Sequence, residues 1–283
     1  MSTTAIPTAL PPATPTPGYS FIPVLTLAQR ELQRFFRQRS RLIGALGQPL
    51  VFWLLFGAGF QGSFRMSGSG DAAMSFQEYF LPGAAMMIVL FASIFSTITV
   101  IQDRNEGFLQ GVLVSPIPRS SFVLGKLLGG TALAVLQAML FLLLAPLLQF
   151  IGLAPQMNWS LSAFQILGTT LFLALTAFGL TGFGFLFAWK LDSIQGFHAI
   201  MSVLLMPMWL VSGAFFPAPS GGWLRYLILA NPLTYGLAGI RRILSPGADW
   251  SALPSMGTSI VVTVAFGAIC LALATWMTRR AQA

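Results

Sequence analysis

Apolar residues in this chain are gathered into long runs, and short polar or Pro/Gly-rich segments separate the runs. A helix that crosses the hydrocarbon core of a bilayer needs about 20 mostly apolar residues, because each residue adds about 1.5 Å. Six runs come close to this length and predict six transmembrane helices. They cover roughly residues 43–60, 79–101, 122–150, 161–189, 195–213 and 256–277. The pattern therefore predicts an all-α integral membrane protein.

The segment before the first run has two parts. Residues 1–20 are rich in Pro, Thr and Ala and have little to bury, so they predict a disordered tail. Residues 21–40 place apolar and basic side chains on different sides of a helix. The basic side carries Arg30, Arg34 and Arg37, and the same spacing continues to Arg41 just beyond it. We expect an amphipathic helix in the membrane surface with arginines facing anionic head groups, and a solvated arm that touches a partner is the alternative. Residues 41–280 then form the six-helix domain.

Residues 214–245 are apolar but repeatedly interrupted. Pro217, Pro219, Pro232 and the pair Gly221-Gly222 leave no stretch long enough for a span. The segment predicts a pair of short re-entrant or interfacial helices on the extracytoplasmic side, before the last span. Backbone of this kind is tolerated at membrane depth only where it packs against protein.

Composition supports the membrane class and narrows the partners. Hydrophobic residues make up 55% of the chain and charged residues 8%, with a mean hydropathy of +0.78, whereas soluble domains carry about 25% charged residues. The net charge of +8 is compatible with nucleic-acid binding. The basic residues lie at the ends of apolar runs, however, so we expect membrane lipid as a partner and no nucleic acid.

The distribution of Lys and Arg also predicts the orientation. With both termini in the cytoplasm, six spans place eleven basic residues inside and four outside. The reverse topology inverts that ratio, so the positive-inside rule favours N-in and C-in.

The chain lacks several chemistries. It contains no Gly-x-x-x-x-Gly-Lys-Ser/Thr loop for nucleotide phosphates. His198 is the one histidine and Cys270 the one cysteine, so we expect no metal, no cofactor and no catalytic residue in this chain, which is therefore not an enzyme. No acidic residue lies deep in a predicted span. Carriers coupled to protons or sodium usually keep ionisable groups there, so this absence favours an energy source outside the chain.

A mixed-charge segment follows the second run. Its polar cluster begins at Asp103 and ends at Glu106, and apolar residues at helical spacing follow as Phe108, Leu109, Val112 and Leu113. The sequence Ser115-Pro116-Ile117-Pro118 then ends the helix, because a residue before proline avoids the helical region. The segment predicts a short amphipathic helix at the cytoplasmic membrane face; an ordinary cytoplasmic loop is the alternative.

Two segments together resemble the ABC type-2 exporter permeases. The matching residues of the first are Asp103-Arg104, Glu106-Gly107, Leu109, Ser115-Pro116, Arg119 and Gly125-Lys126. Those of the second are Ser212-Gly213, Phe216-Pro217, Trp223-Leu224, Asn231-Pro232-Leu233-Thr234-Tyr235 and Arg241.

The resemblance implies a transmembrane permease subunit of an ATP-driven exporter in the bacterial inner membrane. It implies two permease chains, identical or paralogous, with two ATPase subunits that hold ATP and Mg. The cargo it implies is a lipophilic drug, a lipid or a lipid-linked glycan, moved outward. The short helix becomes a coupling helix that contacts the ATPase through Asp103, Arg104, Glu106, Gly107, Phe108, Leu109, Val112 and Leu113. A second cytoplasmic contact falls on Lys190 and Asp192.

The substrate pathway is less specific in the sequence. A plastic apolar surface is expected from Phe91, Phe95, Met201, Met206 and Trp209, and ordinary helix packing is the alternative. A secondary carrier or flippase that needs no ATPase remains a second hypothesis for the function. A membrane enzyme is a weaker third, because no paired carboxylates or histidine cluster converge.

Overall fold

Every regular element in the described part of the chain is a helix. The structure is a computed structural model that describes residues 21–37, 39–60, 74–115, 117–154, 162–217 and 221–280. The helices are α1 (Phe21–Phe36), α2 (Arg39–Gly59), α3 (Phe76–Ser96), α4 (Ile98–Asn105), α5 (Phe108–Val114), α6 (Arg119–Phe150), α7 (Ala163–Lys190), α8 (Ile194–Val211), α9 (Trp223–Ala230), α10 (Pro232–Leu244) and α11 (Met256–Arg280). The predicted tail, residues 1–20, lies outside the described residues.

Five helical segments in these ranges are long and apolar enough to cross a membrane. They are the continuous α3–α4 unit (Phe76–Asn105), α6, α7, α8 and α11. The remaining predicted span, residues 43–60, falls on α2. The apolar part of α2 is Leu46–Gly59, which spans about 21 Å against a hydrocarbon core of about 30 Å. Helix α2 also continues through Pro49.

Local sequence explains where the central helices begin. Ser75 caps α3, and the Glu78 side chain returns a hydrogen bond to the Ser75 backbone. Ser162 and Gln165 make the same reciprocal arrangement at the start of α7. Each pair satisfies two backbone N–H groups that a helix end leaves without partners.

Helix α3 lies at the centre of the bundle and packs against α2, α6 and α7. Helices α8 and α11 are the most peripheral of the five long segments. Their outer sides expose apolar side chains such as Val203 and Val261. Lipid tails are as apolar as these side chains, so such surfaces suit a bilayer.

Helix α1 packs closely along the first part of α6. A Cβ atom at Gly125 would lie 2.7 Å from the Cβ of Leu27, and one at Gly129 would lie 2.8 Å from the Cβ of Glu31. Two glycines four residues apart let helix backbones approach closely. This approach brings Glu31 over the start of α6.

The interrupted segment near the C-terminus forms two short helices, α9 and α10. Asn231 separates them; its side chain accepts a hydrogen bond from the Leu233 N–H, and Pro232 occupies the first turn of α10. Nearly all of α10 is buried against α7, α11 and α3. Trp223 and Tyr226 on α9 are exposed.

Candidate functional site

Six charged side chains meet where α1, α4 and α6 come together. The charge cluster consists of Arg30, Glu31, Arg34, Asp103, Glu106 and Lys126. Three are positive and three negative, so its formal charges cancel. Within the cluster, Glu31 and Lys126 pair although they lie 95 positions apart in the sequence.

Asp103 is the centre of the charge cluster. Its side chain has no exposed surface and accepts hydrogen bonds from Arg30 and Arg34, each with an N–O distance of 2.8 Å, and from Lys126. Lys126 Nζ also lies 2.6 Å from Glu31 Oε1, and both of those side chains are nearly fully buried. Buried charges are tolerated where they are paired and hydrogen-bonded, and each of these is.

Two of the arginines predicted to face lipid head groups, Arg30 and Arg34, therefore face carboxylates in the structure. Burial lowers the pKa of Arg30, but the hydrogen bonds and negative charge of Asp103 outweigh this effect and raise that pKa above its ordinary value. Arg30 thus stays charged. Its guanidinium also lies 3.7 Å from the centre of the Phe108 ring, a cation–π contact that joins α1 to α5.

The predicted short amphipathic helix is present as α5. Gly107 precedes it with φ of +77°, a left-handed conformation that glycine adopts without steric cost. The Leu109 side chain points inward and is buried, whereas Val114 is 86% exposed. Ser115 ends the helix in an extended conformation. The side chain of Leu113 and all of Pro116 lie outside the described residues.

The predicted ATPase-contact residues fall into two groups. Asp103 and Leu109 are buried, so they cannot reach another protein in this arrangement. Glu106 is 56% exposed while it pairs with Arg34. Phe108 and Val112 are half-buried, and Gly107 is exposed.

Two residues that were predicted for separate contacts with the ATPase, Arg104 and Asp192, form an ion pair with each other. Arg104 Nη1 lies 2.7 Å from Asp192 Oδ1. The same guanidinium donates to the carbonyl oxygens of Trp189 and Leu191. Asp192 is 87% exposed, and Lys190 is exposed at the end of α7.

A cavity of about 650 Å³ lies beside the charge cluster, between α1, α2, α3, α4, α6 and α8. Phe91 and Phe95, two of the residues predicted for a substrate pathway, line it. Met201 and Trp209 are instead buried in the core, where Trp209 Nε1 donates to the Gly83 carbonyl oxygen at 2.8 Å. Met206 is half-buried and is not part of the lining.

Sequence reasoning missed Glu31, Lys126 and Gln137 as site residues. Gln137 on α6 lines the cavity and is 2% exposed. The spacing of Gly125 and Gly129 was the available indication that another helix packs on this part of α6. Nothing in the local sequence identifies α1 as that helix.

The sequence pattern of the family described as ABC-2 type transporter matches residues 23–245, which include α1, the charge cluster, α5 and α10. The chain belongs to this family. It is a membrane-embedded transport subunit of an ABC transporter and is distinct from the ATPase subunit with which such permeases work.

Curated relatives agree with this family. A protein of Cyanophora paradoxa named as a transport permease, ycf38, is 31% identical over 227 residues, which cover 78% of this chain and 74% of that protein. The ycf38 protein of Porphyra purpurea is 27% identical, covering 87% of this chain and 79% of the relative. That of Pyropia yezoensis is 24% identical, covering 88% and 80%.

Proposed function

We propose that this chain is the permease of an ATP-driven exporter in which α5 is the coupling helix. Two permease chains, identical or paralogous, pair with two ATPase subunits that carry ATP and Mg. One observation carries the proposal: α5 is tied to the transmembrane helices through the charge cluster while Val114 and Glu106 remain open to a partner.

The contacts of α5 give a route for mechanical coupling. Phe108 lies under Arg30, and Arg30 binds Asp103 at the end of the α3–α4 unit. Asp103 in turn binds Lys126 on α6. Movement of α5 by the ATPase therefore acts on α1, α4 and α6 together, and a packed bundle responds by switching between discrete arrangements. ATP shifts the populations because it binds the ATPase more tightly in one of them.

The proposed topology has six spans with both termini in the cytoplasm of a bacterial inner membrane. Helix α2 is the first span, in which Leu46–Gly59 is the apolar part. Helices α9 and α10 form the re-entrant pair, and α1 lies at the cytoplasmic interface. The exposed apolar residues Phe21, Ile22 and Leu25 on α1 support that position.

The proposed cargo is lipophilic and moves outward. A drug, a lipid or a lipid-linked glycan suits a cavity lined by Phe91, Phe95, Met87 and Ile88. The cavity also reaches the charge cluster at Glu31 and Arg34, so cargo and coupling elements adjoin.

Replacing Gly107 with valine tests the coupling role. A β-branched residue at φ of +77° is strained, so α5 should change its angle to α4 while the spans remain intact. In proteoliposomes containing the complete complex, we expect ATP hydrolysis to continue and transport to fall about tenfold or more. Both rates are measured on the same preparation.

Gly152 offers a matched control. It has φ of +76°, and a Cβ atom at Gly152, as at Gly107, would meet nothing within 4 Å. It lies at the opposite end of α6, far from α5. Gly152→Val should leave transport coupled, and equal transport by both variants would refute the role of α5.

A secondary carrier that needs no ATPase is the alternative function. Reconstitution of the permease alone separates the two hypotheses. Transport driven by a proton gradient without any ATPase supports the carrier, whereas transport that requires the ATPase and ATP supports the exporter.

A further inference from the structure

The turn between α7 and α8 is held by one residue of α4, Arg104. Three residues, 191–193, join the two helices. Arg104 Nη1 lies 2.7 Å from Asp192 Oδ1 and donates to the Leu191 carbonyl oxygen at 3.3 Å, while Nη2 donates to the Trp189 carbonyl oxygen. A single guanidinium therefore contacts both the end of α7 and the turn that leads to α8.

The acceptors explain why an arginine suits this position. The last carbonyl groups of an α-helix have no partner within the helix, and the helix dipole favours a cation beside them. A planar guanidinium presents several N–H groups in a fixed geometry, so Arg104 binds two carbonyls and a carboxylate at once. Its side chain is 27% exposed, and these bonds engage both terminal nitrogens. The contact thus joins α4 to α7 and α8 within the chain.

Helix α8 leads from this turn to the cavity. Ser193 caps α8, since its side chain accepts a hydrogen bond from the Gly196 N–H. Ile194 and His198, in the first turns of α8, line the cavity, and the His198 ring stacks on that of Phe95 with 4.9 Å between centroids. Helix α8 packs mainly against α3, α4 and α9. The position of its first turns therefore depends on α3 and α4, and it shapes the wall of the cavity.

Neighbouring residues of α4 face different helices. Asp103 belongs to the charge cluster and binds Arg30 on α1 and Lys126 on α6. Arg104 is the next residue, and successive side chains of an α-helix point about 100° apart, so Arg104 faces α7 and α8 instead. Helix α5 follows α4 directly. One turn of α4 thus joins α5 to α1 and α6 on one side and to α7 and α8 on another.

We propose that Arg104 is a positioning residue that transmits movement of α5 to α8 and thereby changes the wall of the cavity. The inference rests on the proposed function, in which α5 is the coupling helix. The charge cluster alone moves α1 and α6 with α5. The contact of Arg104 with the α7–α8 turn adds α8 to that movement, so rearrangement of the ATPase reaches the cavity from the side of His198.

Thiol reactivity in the complete permease–ATPase complex tests this role. Cys270 is the one cysteine, so Cys270→Ala gives a background for single reporters. The reporters are Gln33→Cys on α1 and Ala199→Cys on α8, both at exposed positions. Modification of the permease by N-ethylmaleimide is followed by mass spectrometry with and without a non-hydrolysable ATP analogue, and the ratio of the two rates is the readout. While Arg104 is present, we expect each ratio to differ from one by about threefold or more.

Arg104→Ala removes the contact with the turn and leaves the charge cluster intact. The Gln33→Cys reporter should keep its response, whereas the ratio for Ala199→Cys should fall to about one. A merely structural role would change the reactivity of Ala199→Cys in both nucleotide states and leave its ratio unchanged. Arg104→Lys serves the same purpose if Arg104→Ala does not assemble, because an ammonium group lacks the planar fork that reaches all three oxygens. Most of the response at α8 should then be lost.

Arg242→Ala is the matched control. Arg242 also donates to three carbonyl oxygens, those of Pro254, Trp250 and Leu253, but these bonds join α10 to the segment before α11. Both reporters should keep their responses in this variant. Loss of the response at α8 here as well would contradict a specific role of Arg104.

Two further outcomes would overturn the inference, and they differ in what else they exclude. If Ala199→Cys gives the same ratio with and without Arg104 while Gln33→Cys responds, α8 does not depend on this contact, and the proposed function stands. If neither reporter responds while Arg104 is present, α5 does not drive the bundle, and the proposed function falls together with this inference.

Discussion

The two ends of α3 stabilise buried positive charge in different ways. Near its continuation, α4, the cations of the charge cluster face carboxylates on other helices. At the opposite end, Arg241 is fully buried with no carboxylate within 4 Å among the described residues.

Backbone carbonyl groups and aromatic rings take the place of a carboxylate around Arg241. Its Nη1 donates to the Gly213 carbonyl oxygen at 3.0 Å, and its Nη2 donates to those of Tyr79 and Ala214, both at 3.3 Å. The guanidinium lies 4.0 Å from the centre of the Tyr79 ring and 5.4 Å from that of Trp250. Two of the carbonyls follow the C-terminus of α8, where the helix dipole favours a cation.

The two arrangements differ in how easily their contacts can be exchanged when helices move. Asp103 has three cationic neighbours, so helix movement that breaks one ion pair leaves others in place. The carbonyls around Arg241 are fixed by the backbone and have no such replacements. We infer that the charge cluster suits a moving part of the transporter, whereas Arg241 fixes α10 to α3 and to the end of α8.

The largest expected effect comes from Lys126→Met. It leaves Glu31 and Asp103 buried without their shared cation, and removing one partner of a buried ion pair costs about 3–5 kcal/mol. The free energy of unfolding, measured by denaturant titration in mixed micelles, should fall by about that amount.

A second substitution distinguishes charge from packing in the same cluster. Adding Glu31→Gln to Lys126→Met removes the uncompensated negative charge, so more than half of the lost stability should return. A double variant as unstable as Lys126→Met alone would mean that the lysine acts through packing.

Arg241→Lys should have the next largest effect. The substitution keeps the positive charge but removes the planar fork that reaches three carbonyls. Hydrogen bonds to charged groups contribute about 1.5–3 kcal/mol, and we expect a loss of about 2 kcal/mol in the same unfolding titration.

Arg242→Lys is the control for Arg241. Arg242 also donates to three carbonyl oxygens, those of Pro254, Trp250 and Leu253, but its surroundings are only partly buried. Water can replace those bonds, so the loss should stay below about 1 kcal/mol. Equal losses at the two positions would contradict the rigid, dry environment assigned to Arg241.

Asp192→Asn should change stability least. Asp192 is 87% exposed, and its pair with Arg104 belongs to the surface class that contributes about 0–1 kcal/mol. The effect should shrink further as salt rises from about 0.01 M to 0.15 M. A large loss of unfolding free energy that does not change with salt would contradict this and would mean that the pair behaves like the buried ion pairs of the charge cluster.

The sequence predicts local features better than long-range pairing. Periodicity places α5 between Gly107 and Ser115, and the prolines predict the α9–α10 break at Asn231. The second span was predicted to end near residue 101, yet helix continues to Asn105 because Asp103 finds its partners on α1 and α6. The composition of the chain does not reveal which residues on different helices pair with one another.

Arg241 and the cavity illustrate the same limit. Arg241 counts as an extracytoplasmic basic residue in the topology argument, but the carbonyls that make its burial possible come from positions 79, 213 and 214. The apolar pattern of the sequence predicts Phe91 and Phe95 as pathway residues. In the same sequence Gln137 is only one polar residue within an apolar run. Whether such a residue lines a cavity depends on which helices pack around it.

The packing of α1 on α6 has a consequence for biosynthesis. The ribosome completes α1 long before it makes Lys126, which is 95 residues downstream of Glu31. At about 5–20 residues per second, the nascent chain carries Glu31 without its lysine for on the order of 5–20 s. During that interval the N-terminal helix must wait in water or among lipid head groups, so its assembly onto the bundle is a post-insertion step.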